Sequence, residues 1–195
     1  REITSALSSL AKTYEIIFVD DGSNDNTFQV LKEIREKDEQ VKIIKFRRNF
    51  GKSAALNSAF NFVKGNIIIT IDGDLQDDPA EIPNFVDAIE NGSDLVSGWK
   101  SSRKDPLTKK LPSKLFNKMT RLLTGVGLHD FNCGFKAYKK EVLDFISLYG
   151  EMHRYIPVLA AQYGFKITEL KVNIAPEAMG SQSMVSPGLL KDSWT

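Results

Sequence analysis

The segment IIITIDGDLQDDP, residues 67–79, decides how the chain is read. Ile67 to Ile71 are apolar or β-branched without a break, which predicts a short strand buried on both faces, as in a parallel sheet. The run stops at Asp72-Gly73-Asp74. Asp77, Asp78 and Pro79 follow at once and predict a helix start, with Asp78 as N-cap and Pro79 as first residue. Two carboxylates therefore stand at the C-terminal end of a strand, where open α/β sheets bind ligands. Gly73 between them lets the backbone approach a ligand. Oxygen donors so spaced suit Mg2+ or Mn2+, and such an ion suits a diphosphate. Asp and Gly are also common in solvated strand-to-helix turns, so the rest of the chain has to decide.

Upstream, Ile3, Ala6, Leu7, Leu10 and Ala11 recur at helical spacing. Residues 15–20 and 41–46 read as buried strands. A helix over 26–37 turns Phe28, Leu31 and Ile34 inward, and another from Ser53 places Ala55, Leu56, Ala59, Phe60 and Val63 on one face. Downstream, Ile82, Phe85, Val86 and Ile89 mark the helix after Pro79, and 94–98 is a further strand. Strand and helix alternate throughout, which predicts βαβ units and a largely parallel sheet. Beyond this half, a helix over 113–123 is read with Leu115, Phe116, Met119, Leu122 and Leu123 inward. Helices near 140–148 and 152–162 and a strand over 165–172 follow. From residue 176 the chain is rich in Gly, Ser and Met without a period, so residues 1–175 are read as one domain and 176–195 as a mobile loop, lid or tail.

The 195 residues, 42% apolar and 26% charged, suffice for one domain with a sizeable core. The net charge of +1 provides no global field for nucleic acid. Cys133 is the single cysteine, read as a small buried residue in a reducing compartment. No apolar run approaches the roughly 18 residues of a membrane span. The chain starts at Arg1 and reads as an excised or processed segment. Between Lys100 and Arg121 stand eight cations and one acid, Asp105, a surface for anionic lipid or a substrate phosphate if it is not simply solvated.

Three strands end in polar clusters: Asp20-Asp21, Arg47 to Lys52, and Asp72-Gly73-Asp74. In a parallel sheet these ends share one edge. One acidic pair suits base or ribose, the basic turn at a helix start suits phosphate, and the last suits a metal. A nucleotide-diphosphate site explains all three together.

The segments FVDDGSNDNT (18–27), RRNFGKSAALNSAF (47–60), IDGDLQDDPAEIP (71–83), GWKSSRKDP (98–106), DFNCGFKAY (130–138) and EMHRYIP (151–157) carry a resemblance. Together they resemble the family 2 glycosyltransferases of the dolichyl- or undecaprenyl-phosphate sugar transferase type. The resemblance implies a GT-A fold and an inverting transfer of a sugar from a UDP- or GDP-linked donor to a polyprenyl phosphate, at or anchored to the cytoplasmic face of a membrane. It implies that Asp20, Asp21, Gly22, Ser23, Lys52, Asp72 and Gly73 line the nucleotide-sugar site. It implies that Asp72 and Asp74, with Gln76, hold Mg2+ or Mn2+. Asp130 falls where the family places its base, and Arg103 and Arg154 fall among the cations that face the phosphates. A lipid phosphate is already ionised, so with that acceptor Asp130 has only to position groups.

The family begins with an apolar strand and a Pro-x-x-Asn-Glu-like turn, so the resemblance leads us to expect that its first strand is missing from this chain. The late acceptor loop reads Pro176 to Ser183 without Arg or Lys. Alternatives are a sugar-hydroxyl acceptor, a non-catalytic nucleotide- or membrane-docking module, and an Asp-nucleophile phosphatase. Phosphatases of the last kind follow their Asp pair with Val or Thr, where this chain has Leu75 and Gln76.

Overall fold

The computed structural model describes residues 2–101, 117 and 119–173. Helix α1 (Glu2–Ser8) leads into β1 (Ile16–Asp20), α2 (Thr27–Lys37), β2 (Val41–Lys45), α3 (Lys52–Phe60) and β3 (Ile67–Thr70). Then come α4 (Ile82–Glu90), β4 (Leu95–Trp99), β5 (Lys136–Lys139), α5 (Lys140–Asp144), α6 (Ile156–Gln162) and β6 (Ile167–Lys171). Asp78 caps the turn that opens α4, its Oδ1 accepting the Ala80 N–H at 2.9 Å, with Pro79 next in line. That start follows from the pairing of a carboxylate cap with a residue that has no N–H to satisfy.

Among the described residues the strands form two sheets rather than one. β1 and β2 pair in parallel, while the larger sheet has the order β3-β5-β4-β6. β5 runs antiparallel to both β3 and β4, and β4 runs parallel to β6. The architecture is α/β as expected, but the larger sheet is mixed. The reason is β5: only four residues long, KAYK, it shows no readable period, yet it occupies the middle of the sheet. Its two lysines are satisfied locally, Lys136 by loop carbonyls and Lys139 by Asp94 Oδ1 at 2.7 Å.

Two apolar layers cover the larger sheet. Ile82, Phe85, Val86 and Ile89 of α4 pack on one face with Phe135, Phe85 and Phe135 stacking at 4.3 Å, and Leu7 and Leu10 join from the N-terminal region. On the other face Ile68, Leu95, Tyr138, Val142 and Ile156 pack together with Leu56 and Phe60 of α3. α3 also packs on β1, so it joins the two sheets. The strand expected to be buried on both faces, β3, is less so: only Ile68 is fully buried. α2 lies on the two-stranded sheet and buries no residue fully, which leaves Ile34 39% exposed.

A second difference concerns residues 119–124, which are helical. Met119, Leu122 and Leu123 were expected inward but are 53%, 82% and 78% exposed. The helix meets the body through Thr120, which is buried, and through Arg121, whose Nε and Nη2 both donate to the Leu128 carbonyl. Lys100, counted among the surface cations, is buried. Leu115, Phe116, Arg103 and the remaining cations from Lys104 to Lys118 lie outside the described residues, as does the tail from 176.

Candidate active site

Contacts between successive turns assemble the site. At the end of β1, Asp20 is 3% exposed, and its Oδ1 accepts the Ser23 N–H at 2.8 Å. Its Oδ2 is buried and has no hydrogen-bond partner among the described residues. A buried oxygen left so costs on the order of 1–3 kcal/mol, and a ligand N–H or O–H would relieve it. Asp21 is spent on the protein itself: its two oxygens accept the N–H groups of Phe50 at 2.7 Å and Gly51 at 2.9 Å. Gly22, at φ +78°, lies so near the Arg48–Asn49 backbone that a Cβ would stand 2.4–2.7 Å from it. The turn after β1 is thus locked to the turn after β2.

That second turn ends at Gly51, in the left-handed region at φ +89°, and α3 begins with Lys52. Lys52 Nζ reaches across to Asp72 Oδ1 at 2.6 Å, and the two side chains are 38% and 33% exposed. A pair that exposed adds only ~0–1 kcal/mol to stability, so its interest is local. The Asp72 carboxylate rests over Gly134, where a Cβ would fall 2.3–2.6 Å from its three terminal atoms. Thr70 Oγ1 donates to the Gly134 carbonyl at 2.8 Å and holds the two segments together.

Asp74 and Gln76 are exposed, with the Gln76 N–H donating to Asp74 Oδ1 at 3.1 Å. Leu75 between them adopts φ +61°, a strained position for a non-glycine residue, and is 73% exposed. Gly73 has open space around it. Among the described residues, no three acidic, His or Cys side chains converge as a metal centre. The side chains of Asp72, Asp74 and Gln76 are oxygen donors, the donor type that Mg2+ or Mn2+ takes alongside water and phosphate. The space above Gly134, which a side chain would fill, is what seats one of these carboxylates.

Asp130 Oδ1 accepts the Asn132 N–H at 2.9 Å, closing its own turn. Arg154 Nη2 lies 3.4 Å from Glu151 Oε2, a half-exposed pair on one turn, and none of its described contacts reaches Asp72 or Asp130. His153 is tied to buried Ser53: its N–H donates to Ser53 Oγ at 3.1 Å, and its Nδ1 lies 3.0 Å from the same oxygen. Burial holds the imidazole below its usual pKa.

Several contributors were not legible beforehand. Lys136 is buried, and its ammonium donates to the carbonyls of Phe131 and Cys133. Burial lowers its pKa and pushes the neighbouring Cys133 thiol up to about 11. Lys52, Thr70, Lys136 and His153, with Leu56 and Ile156, line a small cavity of about 10 Å³, room for one water. Glu169 of β6 accepts the N–H groups of His129 at 2.7 Å and Asp130 at 3.1 Å and binds His129 Nδ1 at 2.7 Å, so it sets where the Asp130 turn begins. Asp77 Oδ2 accepts the Asp72 N–H at 3.1 Å, and buried Lys100 stands 2.7 Å from Asp77 Oδ1, a charge contact rather than an aligned hydrogen bond. A carboxylate five residues past Asp72 and a lysine just past β4 were the available signals.

Gly134→Ala is expected to damage the site more than the fold. The atoms in the way belong to Asp72 itself, so that side chain gives way and leaves Lys52 and its seat. Thermal unfolding should shift by the ~1–3 kcal/mol of a local overpacking. Calorimetry should show manganese-dependent nucleotide binding lost.

Residues 1–146 match the model of the family described as glycosyl transferase family 2. The chain is 35% identical over 181 residues to the undecaprenyl-phosphate 4-deoxy-4-formamido-L-arabinose transferase of Salmonella choleraesuis, covering 92% of this chain and 55% of that protein. It is 39% identical over 162 residues to the dodecaprenyl-phosphate galacturonate synthase of Rhizobium johnstonii, covering 82% of this chain and 48% of that protein. It therefore spans about half the length of the curated relatives it matches. Among solved structures, glucosyl-3-phosphoglycerate synthase from Mycobacterium tuberculosis in complex with Mn2+ and UDP-glucose superposes with a TM-score of 0.65 at 21% identity, over 90% of this chain and 64% of that one. The mannosyltransferase PcManGT from Pyrobaculum calidifontis with GDP-Man and Mn2+ gives 0.62 at 19%, over 90% and 53%. The fold is that of the GT-A glycosyltransferases.

Proposed function

The chain belongs to glycosyltransferase family 2, and from that membership we propose that it forms the donor-binding core of an enzyme that moves a sugar from a UDP- or GDP-linked donor to a polyprenyl phosphate. The observation that carries this reading is the seat of Asp72, which lies over Gly134 with Lys52 against it, at the junction of the turns after β2 and β3. The names of the two relatives, both acting on polyprenyl phosphates, support the acceptor class.

Asp20 would receive an N–H or O–H of the nucleoside on its unpartnered oxygen, within a wall made by Gly22 and Ser23. Asp21 would contribute by holding the Phe50–Gly51 backbone, and through it the start of α3. Lys52 and the Gly73 backbone would face the diphosphate. Asp72, Asp74 and Gln76 would hold Mg2+ or Mn2+, which when bound stabilises the charge that develops on the leaving diphosphate.

In the transfer step, an ionised phosphate oxygen of the acceptor attacks the anomeric carbon. The bond from that carbon to the diphosphate oxygen breaks, and the nucleoside diphosphate leaves with the electron pair. Attack from the opposite side inverts the anomeric centre. No proton has to be removed, so Asp130, held by Glu169 and its own turn, positions the acceptor and does not deprotonate it. Arg154 would meet the acceptor phosphate after releasing Glu151, together with Arg103, because an arginine fork grips phosphate bidentately.

The exposed Met119, Leu122 and Leu123, beside the basic run 103–118, suit contact with an anionic bilayer at the cytoplasmic face of a membrane. Among the described residues no helix is long and apolar enough to cross one.

A donor panel tests the reading. Calorimetry with UDP- and GDP-sugars should show binding in the presence of Mn2+ and its loss with EDTA. Binding that is indifferent to EDTA would remove the metal from the account.

A further inference from the structure

Lys52 and Asp72 form a closed pair at the point where a cation is expected to bind. Lys52 Nζ lies 2.6 Å from Asp72 Oδ1. Both ends are anchored. Lys52 is the first residue of α3, directly after Gly51, whose N–H is held by Asp21 at 2.9 Å. Asp72 is fixed through its N–H on Asp77 and through its carboxylate over Gly134. Lys136, buried close by, is held on the Phe131 and Cys133 carbonyls, so Lys52 is the lysine that reaches the Asp72 carboxylate.

A divalent ion that approaches Asp72 has to displace the Lys52 ammonium, and it would then stand beside that charge. A nucleoside diphosphate changes the balance. It brings anionic oxygens for the ion and a new partner for the displaced ammonium. We infer that Lys52 is a resident counter-ion of Asp72, which makes capture of a divalent cation conditional on a diphosphate. It lets go of the carboxylate when the phosphates arrive. The inference rests on the metal assignment proposed above and adds an order to it. Metal and nucleotide bind as a linked pair, and the ion alone binds poorly.

The test is direct titration of Mn2+, read as loss of the free-ion electron spin resonance signal. It uses this 195-residue chain without nucleotide and then with UDP or GDP. Lys52→Met and Lys52→Gln should each bind Mn2+ alone about tenfold more tightly than the parent. Lys52→Arg, which keeps the charge, should behave as the parent. The gain in Mn2+ affinity on adding nucleotide should shrink in the two neutral variants. Asp72→Asn should remove binding. If Asp72→Asn removes it while Lys52→Met and Lys52→Gln leave it unchanged or weaker, the counter-ion role is wrong and the metal assignment stands. If none of the proteins binds Mn2+ with or without nucleotide, the metal assignment is wrong and the counter-ion role falls with it. Melting curves on all variants confirm that each is folded.

Discussion

Asp74→Ala is expected to abolish manganese-dependent nucleotide binding while the fold survives. Asp74 is exposed, and its described hydrogen bond is one from the Gln76 N–H, so little of the core depends on it. Surface substitutions of this kind cost within ~0.5 kcal/mol. Under the proposed assignment the site depends on it far more, because Asp74 is one of the two carboxylates assigned to the ion. Losing one carboxylate should weaken nucleotide binding in Mn2+ by at least ~100-fold, beyond what outer-shell changes at metal sites cost. Calorimetry with matched melting curves separates the two effects. Binding that persists at parental strength would move the ion away from residues 72–76.

Lys100→Met is expected to cost the most stability, about 3–5 kcal/mol, because it strands a charged carboxylate inside the protein. The side chains of Lys100 and Asp77 are 5% and 0% exposed. The second effect of this substitution is on the site. Asp77 Oδ2 holds the Asp72 N–H, so a carboxylate left without its ammonium would shift, and the backbone at Asp72 would loosen. The double variant Lys100→Met with Asp77→Asn buries no charge and should recover much of the stability. Denaturant unfolding of parent, single and double variants checks this. A single variant as stable as the parent would mean that the pair is not buried as described.

What could be read beforehand was what short-range chemistry dictates. Asp78 and Pro79 open the 3-10 turn at 79–81 that leads into α4, because a carboxylate cap and a residue without an N–H fit the same start. The segments 15–20, 41–46 and 67–71, read as strands, form strands at 16–20, 41–45 and 67–70, since each is a local pattern. The meeting of the turns after β1, β2 and β3 follows from the fold and is made by Asp21, Gly22 and Lys52. β5 was not legible. A four-residue strand with two lysines has no period, and its place between β3 and β4 is decided by pairing with residues far along the chain. Glu169 was hidden for a similar reason: on β6 it is one polar residue of an alternating strand, and only the sheet brings it to Asp130. At 119–124 the apolar stripe predicts a core-facing helix, whereas Thr120 and Arg121 make the contact. Lys100 misled in the opposite sense, a cation in a basic run that the fold buries against Asp77.

The central claim is that the sugar goes to a lipid phosphate. The measurement that tests it most directly supplies undecaprenyl phosphate in detergent micelles, Mn2+, and radiolabelled UDP- and GDP-sugars, and follows the label. The account predicts that label from one donor enters the organic phase as an acid-labile, anomerically inverted sugar phosphate of the lipid, and that Asp74→Ala prevents it. Donor that is bound and consumed while the lipid stays unlabelled, with the sugar appearing free in water or on a hydroxyl acceptor, would contradict it.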